Sequence, residues 1–402
     1  MGPLSGVRIL AISQYGAGPF ATLHLADMGA EVIKIEDPNS GGDVSRSVIP
    51  YSENEDSLFF QSLNRNKKSI TLDLKSTEGK AVFLKLVEKS DAVFNNLRGD
   101  VPERLGITYQ QLKHVNPKIV TCSLSGFGTS GSMKKEPAYD YLLQAMNGHM
   151  SLTGEPGGPP TKYGISIVDF STGMMAALGL MIGLYKAKVD GKGEDIDVSL
   201  FDTSLSVLNY LAIWHLNKGY EPLRTTSSAH PTLVPSQLFE TKTGYIMIMC
   251  NKEKFFRILC EEIDAEHLAR DTRYQDFQSR FDHKETLITE LERVFLTETT
   301  KTWLSRLQGK VPIAPVNSIQ EALNQSIVHE RNMIVKVDSD NFGEIEMLGT
   351  PIKCESFTPD YKPGPKMGEH NEEIFEQLLG LTKNDVERMT DPSKHRDSLY
   401  KA

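Results

Sequence analysis

Asp169 stands out for the chemistry it could do. In KYGISIVDFSTGMMAALGLMIGLY, residues 162–185, it closes an apolar, strand-like run and precedes the most apolar helical stretch of the chain. As a helix N-cap its carboxylate would accept bonds from the N–H groups of the next turn. Those bonds would keep it ionised, and an ionised, oriented carboxylate can act as a nucleophile. The two roles are compatible.

A second constellation lies in VRILAISQYGAGPFATLHLADMGAEVIKIE, residues 7–36. Gly16, Gly18 and Ala21 carry the G-x-G-x-x-[G/A] spacing of a dinucleotide-binding turn, and Glu36 ends the next strand where a ribose-binding acid would sit. The fit is imperfect, because Ser13, Gln14 and Tyr15 separate the strand from the first glycine and Pro19 lies inside the turn. Pro19 suits a first helical turn, whose free N–H groups can hold a phosphate or carboxylate. Nicotinamide or flavin binding and plain strand–helix packing both remain open on this motif.

Clustered cations form the third. Arg65, Lys67, Lys68 and Lys75 gather in LNRNKKSITLDLK, residues 63–75. They read either as a solvated loop or as a rim for a multiply charged phosphate ligand. Asn96, Arg98 and Arg104 follow a strand's carboxyl end, the edge at which open α/β sheets bind ligands. The ten histidines form no H-E-x-x-H and no serine lies in G-x-S-x-G. His149 and His230 read as structural.

The elements that must position these groups alternate. Strands are expected at 7–12, 32–35, 69–74, 92–95 and 119–123, with helices at 20–28 and 78–89, a pattern that gives a mainly parallel sheet. The texture changes near Leu223 to the polar RTTSSAHPTLVPS, after which SQLFETKTGYIMIM reads as two strands joined at Lys242-Thr243-Gly244. Helices at 254–263, 284–296, 300–307 and 319–324 and a strand at 313–316 complete a smaller domain. Strands return at 333–337 and 343–348, and a terminal helix is expected from about Asn371. These last elements could rejoin the first domain.

With 402 residues, 39% hydrophobic and 24% charged, the chain has the composition of a globular protein of about two domains. A net charge of -9 argues against a nucleic-acid partner or an anionic membrane surface. Cys122, Cys250, Cys260 and Cys354 show no C-x-x-C and no His cluster, so no metal site is expected and a reducing, cytoplasmic setting is. No charged-then-apolar leader precedes the first strand. The apolar run 174–185 falls short of the roughly 20 residues a bilayer crossing needs and reads as a buried helix.

Taken in order, AGPFATLHLADMGAEVIKIE (17–36), LNRNKKSITLDLK (63–75), ERLGI (103–107), SGFGTSG (125–131), PAYDYLLQAMNGHMSLTG (137–154), ISIVDFSTGMMAA (165–177), GKGEDIDVSLFD (191–202) and HPTLVP (230–235) make the chain resemble the class III CoA-transferase family. That family includes formyl-CoA transferase and carnitine CoA-transferase, with α-methylacyl-CoA racemase as a relative. The resemblance implies an α/β fold with a Rossmann-like large domain, a smaller α+β domain, and a chain that returns to the large domain. The corresponding spans are 1–222, 223–330 and 331–402. It also implies an interlocked, ring-like homodimer, no tightly bound cofactor, and coenzyme A as a substrate exchanged between an acyl-CoA and a carboxylic acid.

By the same resemblance Asp169 is the nucleophile, passing through an aspartyl anhydride and an aspartyl-CoA thioester. Gly16, Ala17, Leu72, Asp73, Leu74, Lys75, Asn96, Leu97, Arg98, Arg104 and Tyr139 stand at the family's CoA-binding positions. Three departures bear on this. Gly16 stands where formyl-CoA transferase has a catalytic glutamine, Asp37 where it has a phosphate-binding arginine, and MCNKEKF (249–255) where it has a glycine-rich loop. Oxalate and formate are therefore not expected. A short dicarboxylate such as succinate is, with Arg46 as a cation for its second carboxylate. Tyr139 occupies the place of the racemase branch's histidine, and its reference pKa near 10 disfavours two-base proton exchange. An acyl-CoA racemase is the alternative, a nicotinamide-dependent oxidoreductase a distant one, and a non-catalytic CoA-binding subunit a third.

Overall fold

The computed structural model describes residues 1–382 and 385. Six parallel strands form its main sheet: β1 (Arg8–Ile12), β2 (Glu31–Glu36), β3 (Lys68–Thr71), β4 (Ala92–Asn95), β5 (Val120–Ser125) and β6 (Asp195–Ser199). Their spatial order is β3-β2-β1-β4-β5-β6. The inner strands are apolar on both faces because helices cover both, and Ile9, Leu10, Val32, Ile33, Val93 and Phe94 are all inaccessible. Chain order reverses between β1 and β4, and ligands of such sheets bind outside the carboxyl ends at that switch point.

β6 was absent from the expected elements. Its Asp-Ile-Asp-Val alternation is that of an edge strand with one polar face, a weaker signal than the continuous apolar runs of its neighbours. The run before Asp169 departs further, since no strand forms there. Residues 161–166 are irregular and helix begins at Ile167.

Three helices frame the region around Asp169: α1 (Ala17–Asp27), α2 (Asp140–Met146) and α3 (Ile167–Asp190). At 24 residues, α3 is long and apolar enough to cross a bilayer by length and composition, unlike the short run expected. One stripe of it packs on α1, β5 and β6, burying Thr172, Gly173, Ala176 and Leu180. The crossing is tight at Gly173, where a Cβ would lie 2.7 Å from the Ala17 carbonyl oxygen. The opposite stripe is not buried. Leu178, Ile182, Tyr185 and Val189 are each more than half exposed, which corrects the expectation of a wholly buried helix.

By internal contacts the chain divides into two units. One comprises Met1–Asn147, Gly164–Asn209 and the chain from Ile327; the other comprises Gly148–Tyr163 and Tyr210–Ser326. By this division the return into the first unit begins at Ile327 and the excursion at Tyr210, with 148–163 joined to it. In the first unit the returning segment is bonded to the early chain: the Gly364 N–H donates to Gln61 Oε1, and the Thr71 N–H to Asn371 Oδ1. It carries the antiparallel pair Ile334–Ser339 and Gly343–Leu348. The expected helix near Asn371 is a π-helical segment, Glu373–Leu378, with its C-cap at Leu379; the residues beyond 382, Asp385 excepted, lie outside the described residues.

The second unit has its own core around Phe239, Ile246, Leu291, Phe295 and Trp303. Its hairpin, Ser236–Thr241 with Gly244–Met249, turns at Lys242-Thr243 as the sequence indicates.

Candidate active site

Asp169 is the third residue of α3, and Ser166 occupies the N-cap without a side-chain cap bond. The expectation of an N-cap aspartate is therefore corrected. Its own N–H is one of the four that a helix start leaves without an intrahelical partner. That N–H donates at 2.8 Å to Oδ2 of Asp140, the first residue of α2, whose Oδ1 accepts from Gln144 Nε2 at 2.5 Å. Asp140 is buried and brings a second negative charge to the site.

Burial first, and the Asp140 charge second, push the Asp169 carboxyl up to about 7. The cap-stabilised, always ionised carboxylate read from the local pattern is thus also corrected: no cap bonds are made, and the acid shares its site with another. Gly16, immediately before α1, lies against it. A Cβ at Gly16 would stand 2.9 Å from Asp169 Oδ2, so any side chain there would crowd the carboxylate. The glycine at this position is what leaves room beside the acid.

Ser13 and Gln14, the first half of the turn that ends at Gly16 beside Asp169, line a cavity of about 1280 Å³ at the carboxyl ends of β1 to β4, whereas Gly16 and Asp169 themselves do not line it. Leu72, Leu74, Leu97 and Leu105 supply apolar walls, and Lys75 and Arg104 stand at it as exposed cations. Apolar walls with cations at the margin suit a ligand that has an apolar arm and an anionic head.

Of the residues singled out by resemblance, Leu72, Leu74, Lys75, Leu97 and Arg104 line this cavity. Asp73 accepts from the Lys75 N–H and from Asn39 Nδ2, shaping the loop. Asn96 brackets Gln14, accepting its N–H at 2.9 Å and donating to its carbonyl at 2.8 Å. Arg98 forks onto Asp100, and Lys75 pairs with Asp37 at 3.0 Å. Gly16 and Ala17 open α1 beside Asp169. Tyr139 is 68% exposed, does not line the cavity, and precedes the acid that does touch Asp169.

Three of the four cations of the basic segment are taken up by protein partners. Arg65 forks onto buried Asp27, and Lys67 donates to the carbonyls of Pro19 and Leu63 and to Asn64 Oδ1. Burial drives the Lys67 amine well below the usual lysine range. Lys68 bridges Glu31 and Glu373, so of the four only Lys75 is placed to meet a ligand. Arg46 is likewise withdrawn from any substrate: it is buried in a two-bond pair with Glu36, at 2.6 and 2.9 Å. The same pair, with a bond from Ser69 Oγ, occupies the Glu36 carboxylate that the glycine fingerprint would have given to a ribose.

Asp140 and Lys34 were missed. Lys34 lies at the centre of EVIKIE, a strand apolar enough to be buried on both faces, and a lysine there demands a buried acid. Asp140 left a fainter trace, an acid opening a helix one residue after Tyr139.

A family model described as CoA-transferase family III matches residues 4–371. The chain is 34% identical over 388 residues to a succinate–glutarate CoA-transferase of Agrobacterium fabrum, covering 94% of this chain and 96% of the relative. It is 36% identical over 372 residues to an acetyl-CoA:oxalate CoA-transferase of Acetobacter aceti, covering 92% and 94%. Among solved structures, a CaiB/BaiF family protein from Brucella suis superposes with a TM-score of 0.80 at 30% identity, covering 94% of this chain and 99% of that one. With sequence and fold matching over nearly their whole lengths, the chain belongs to CoA-transferase family III and is a CoA-transferase.

Proposed function

We propose that the enzyme moves CoA from an acyl-CoA to a carboxylic acid through covalent intermediates on Asp169. The Asp169 carboxylate attacks the thioester carbonyl, the C–S bond breaks, and a mixed anhydride and CoA thiolate result. The thiolate attacks the aspartyl carbonyl, releasing the donor acid and leaving an aspartyl-CoA thioester. The acceptor carboxylate attacks that thioester to give a second anhydride, and the thiolate then takes the acceptor's acyl group, restoring the free carboxylate. The thioester's free energy is carried through without ATP, one difficult exchange being divided into easier ones.

The observation that carries this reading is the carboxyl of Asp169 itself. It is partly buried, pushed up to about 7, and faces the space that Gly16 leaves open at the end of the turn bordering the cavity. A carboxylate with that pKa is more basic than a solvated one, and a better nucleophile once ionised. The cavity would receive CoA, with Lys75 and Arg104 toward its phosphates.

For the exchanged acids, we infer short dicarboxylates. The Agrobacterium and Acetobacter relatives are named for succinate, glutarate and oxalate, and the latter returns oxalate to consideration. The working unit would be a homodimer. Leu178, Ile182, Tyr185 and Val189 of α3 and Leu142 and Met146 of α2 are large apolar side chains that the single chain leaves more than half exposed, which supports association through these helices.

Acyl-CoA with hydroxylamine tests the covalent route. Trapping should convert Asp169 to its hydroxamate and inactivate the enzyme, as read by peptide mass; full activity with an unmodified Asp169 would sink the mechanism. A panel of dicarboxylic and monocarboxylic acids against succinyl-CoA and acetyl-CoA names the pair, and a preference for monocarboxylates would overturn the substrate class.

Asp140→Asn provides a pH test. Asn keeps an acceptor for the Asp169 N–H but removes the neighbouring charge, so the Asp169 carboxyl should titrate lower. The acid limb of kcat/KM, expected near pH 7 in the native enzyme, should move to lower pH; an unmoved limb would show that burial alone sets it.

A further inference from the structure

We propose that Lys34 and Asp43 are positioning residues for the reaction, a buried ion pair that holds the Ser13–Gly16 turn in the conformation that brings Gly16 against Asp169. The inference rests on the reading of Asp169 as the nucleophile.

Tyr15 occupies the left-handed region, with φ of 69°, which residues with a Cβ rarely adopt. Something outside the turn must hold it there. Its N–H donates at 3.0 Å to Asp43 Oδ1, and Asp43 Oδ2 accepts at 2.6 Å from Lys34 Nζ. Lys34 Nζ also donates at 2.5 Å to the carbonyl of Ser13. The pair therefore grips the turn at both sides of Gln14, while Asn96 holds Gln14 itself.

Both ions are shut away from water, Lys34 at 0% and Asp43 at 3% exposure, so solvent does not compete for these bonds. Asp43 is in turn fixed by the Ser45 N–H and hydroxyl, and its own N–H donates to Glu36 Oε2 at 2.9 Å. The turn is thus tied through side chains to the middle of β2. A buried ion pair is a costly way to gain stability and is best understood where it fixes a geometry. Here that geometry is a turn whose last residue stands within contact distance of the nucleophile, where small displacements change rates.

The test uses the paired neutral variant Lys34→Met with Asp43→Asn, which leaves no unpaired buried charge, and the same variant with Tyr15→Gly added. Glycine adopts positive φ without a brace. The paired variant should lose at least tenfold in kcat per folded molecule, with KM for acyl-CoA changed less than threefold. Adding Tyr15→Gly should recover kcat at least threefold without raising Tm. An unchanged kcat in the paired variant, with only Tm lowered, would reduce the pair to a structural role. A kcat loss that Tyr15→Gly leaves untouched would show that the effect does not run through this turn, and would equally overturn the proposal.

Intact-mass measurement of the CoA adduct on Asp169 separates the two layers of inference. A wild-type enzyme that transfers CoA without forming an adduct defeats the covalent reading. A wild type and paired variant that form it equally fast defeat only the brace. Where the paired variant does not fold, amide exchange in the native enzyme reads the same contact: the Tyr15 N–H should be protected, and fast exchange there would overturn the inference.

Discussion

Asp169→Asn is expected to lower transfer by about 10⁴-fold or more, the scale on which removing a covalent nucleophile acts, and to make the protein more heat-stable at pH 8. The second effect follows from linkage. In the folded enzyme the carboxyl titrates at about 7, against an ordinary value of 3.8 in the unfolded chain. Between those values the unfolded state releases its proton while the folded state keeps it, so stability falls as pH rises through the window and is lowest above it. Asparagine cannot ionise and escapes that loss. The Tm difference between variant and wild type should be near zero at pH 4 and reach a few °C by pH 8. A variant as active as wild type refutes the nucleophile, and a variant destabilised at pH 8 refutes the electrostatic account while leaving the chemistry standing.

Arg46→Ala should cost about 3–5 kcal/mol of stability, because it leaves the Glu36 carboxylate buried without its partner. Glu36 and Arg46 are almost wholly enclosed, and the guanidinium also lies 3.8 Å over the Phe60 ring. Burial alone would raise the Glu36 carboxyl; the Arg46 bond and the Lys34 and Arg46 charges overrule it and hold it below the ordinary value. The stability that Glu36 contributes is therefore present above the usual carboxylate range and lost as pH falls through its lowered folded value. Urea midpoints at pH 7 should drop sharply in the variant, and KM for either carboxylic acid should be unchanged in the molecules that fold. A stable variant with a raised KM for dicarboxylates would return Arg46 to the substrate.

The contrast between Arg46 and Lys75 shows where the sequence could be read and where it could not. Both are cations near the sheet's carboxyl edge, and composition treats them alike. Only the packing separates them: Arg46 meets Glu36 in the interior, while Lys75 stays 73% exposed at the cavity. Arg65, Lys67 and Lys68 followed Arg46, because Asp27, the Pro19 carbonyl, Glu31 and Glu373, which they bond, come from segments 37 to 305 residues away. Local charge counting cannot see such partners.

Asp140 was hidden for the same reason, 29 residues before the N–H it accepts. Elements with a strong local signal fared better. β1 to β5 and the turn at Lys242-Thr243 were legible because continuous apolar runs and turn residues act over a few positions. β6 and the true start of α3 were not, since an alternating edge strand and an irregular run of Ile and Val resemble other things locally.

What the amino-acid sequence by itself determined is the alternating strand–helix order, the family likeness, and the identity of the acid to look at. Those depend on residue types and short spacings. The tertiary structure decided that Asp169 lies inside a helix rather than at its N-cap, that its pKa lies near neutrality, and which cations stand exposed at the cavity. Each of these is set by desolvation and by charges brought together from distant segments, terms that act through space and have no value until the chain is folded.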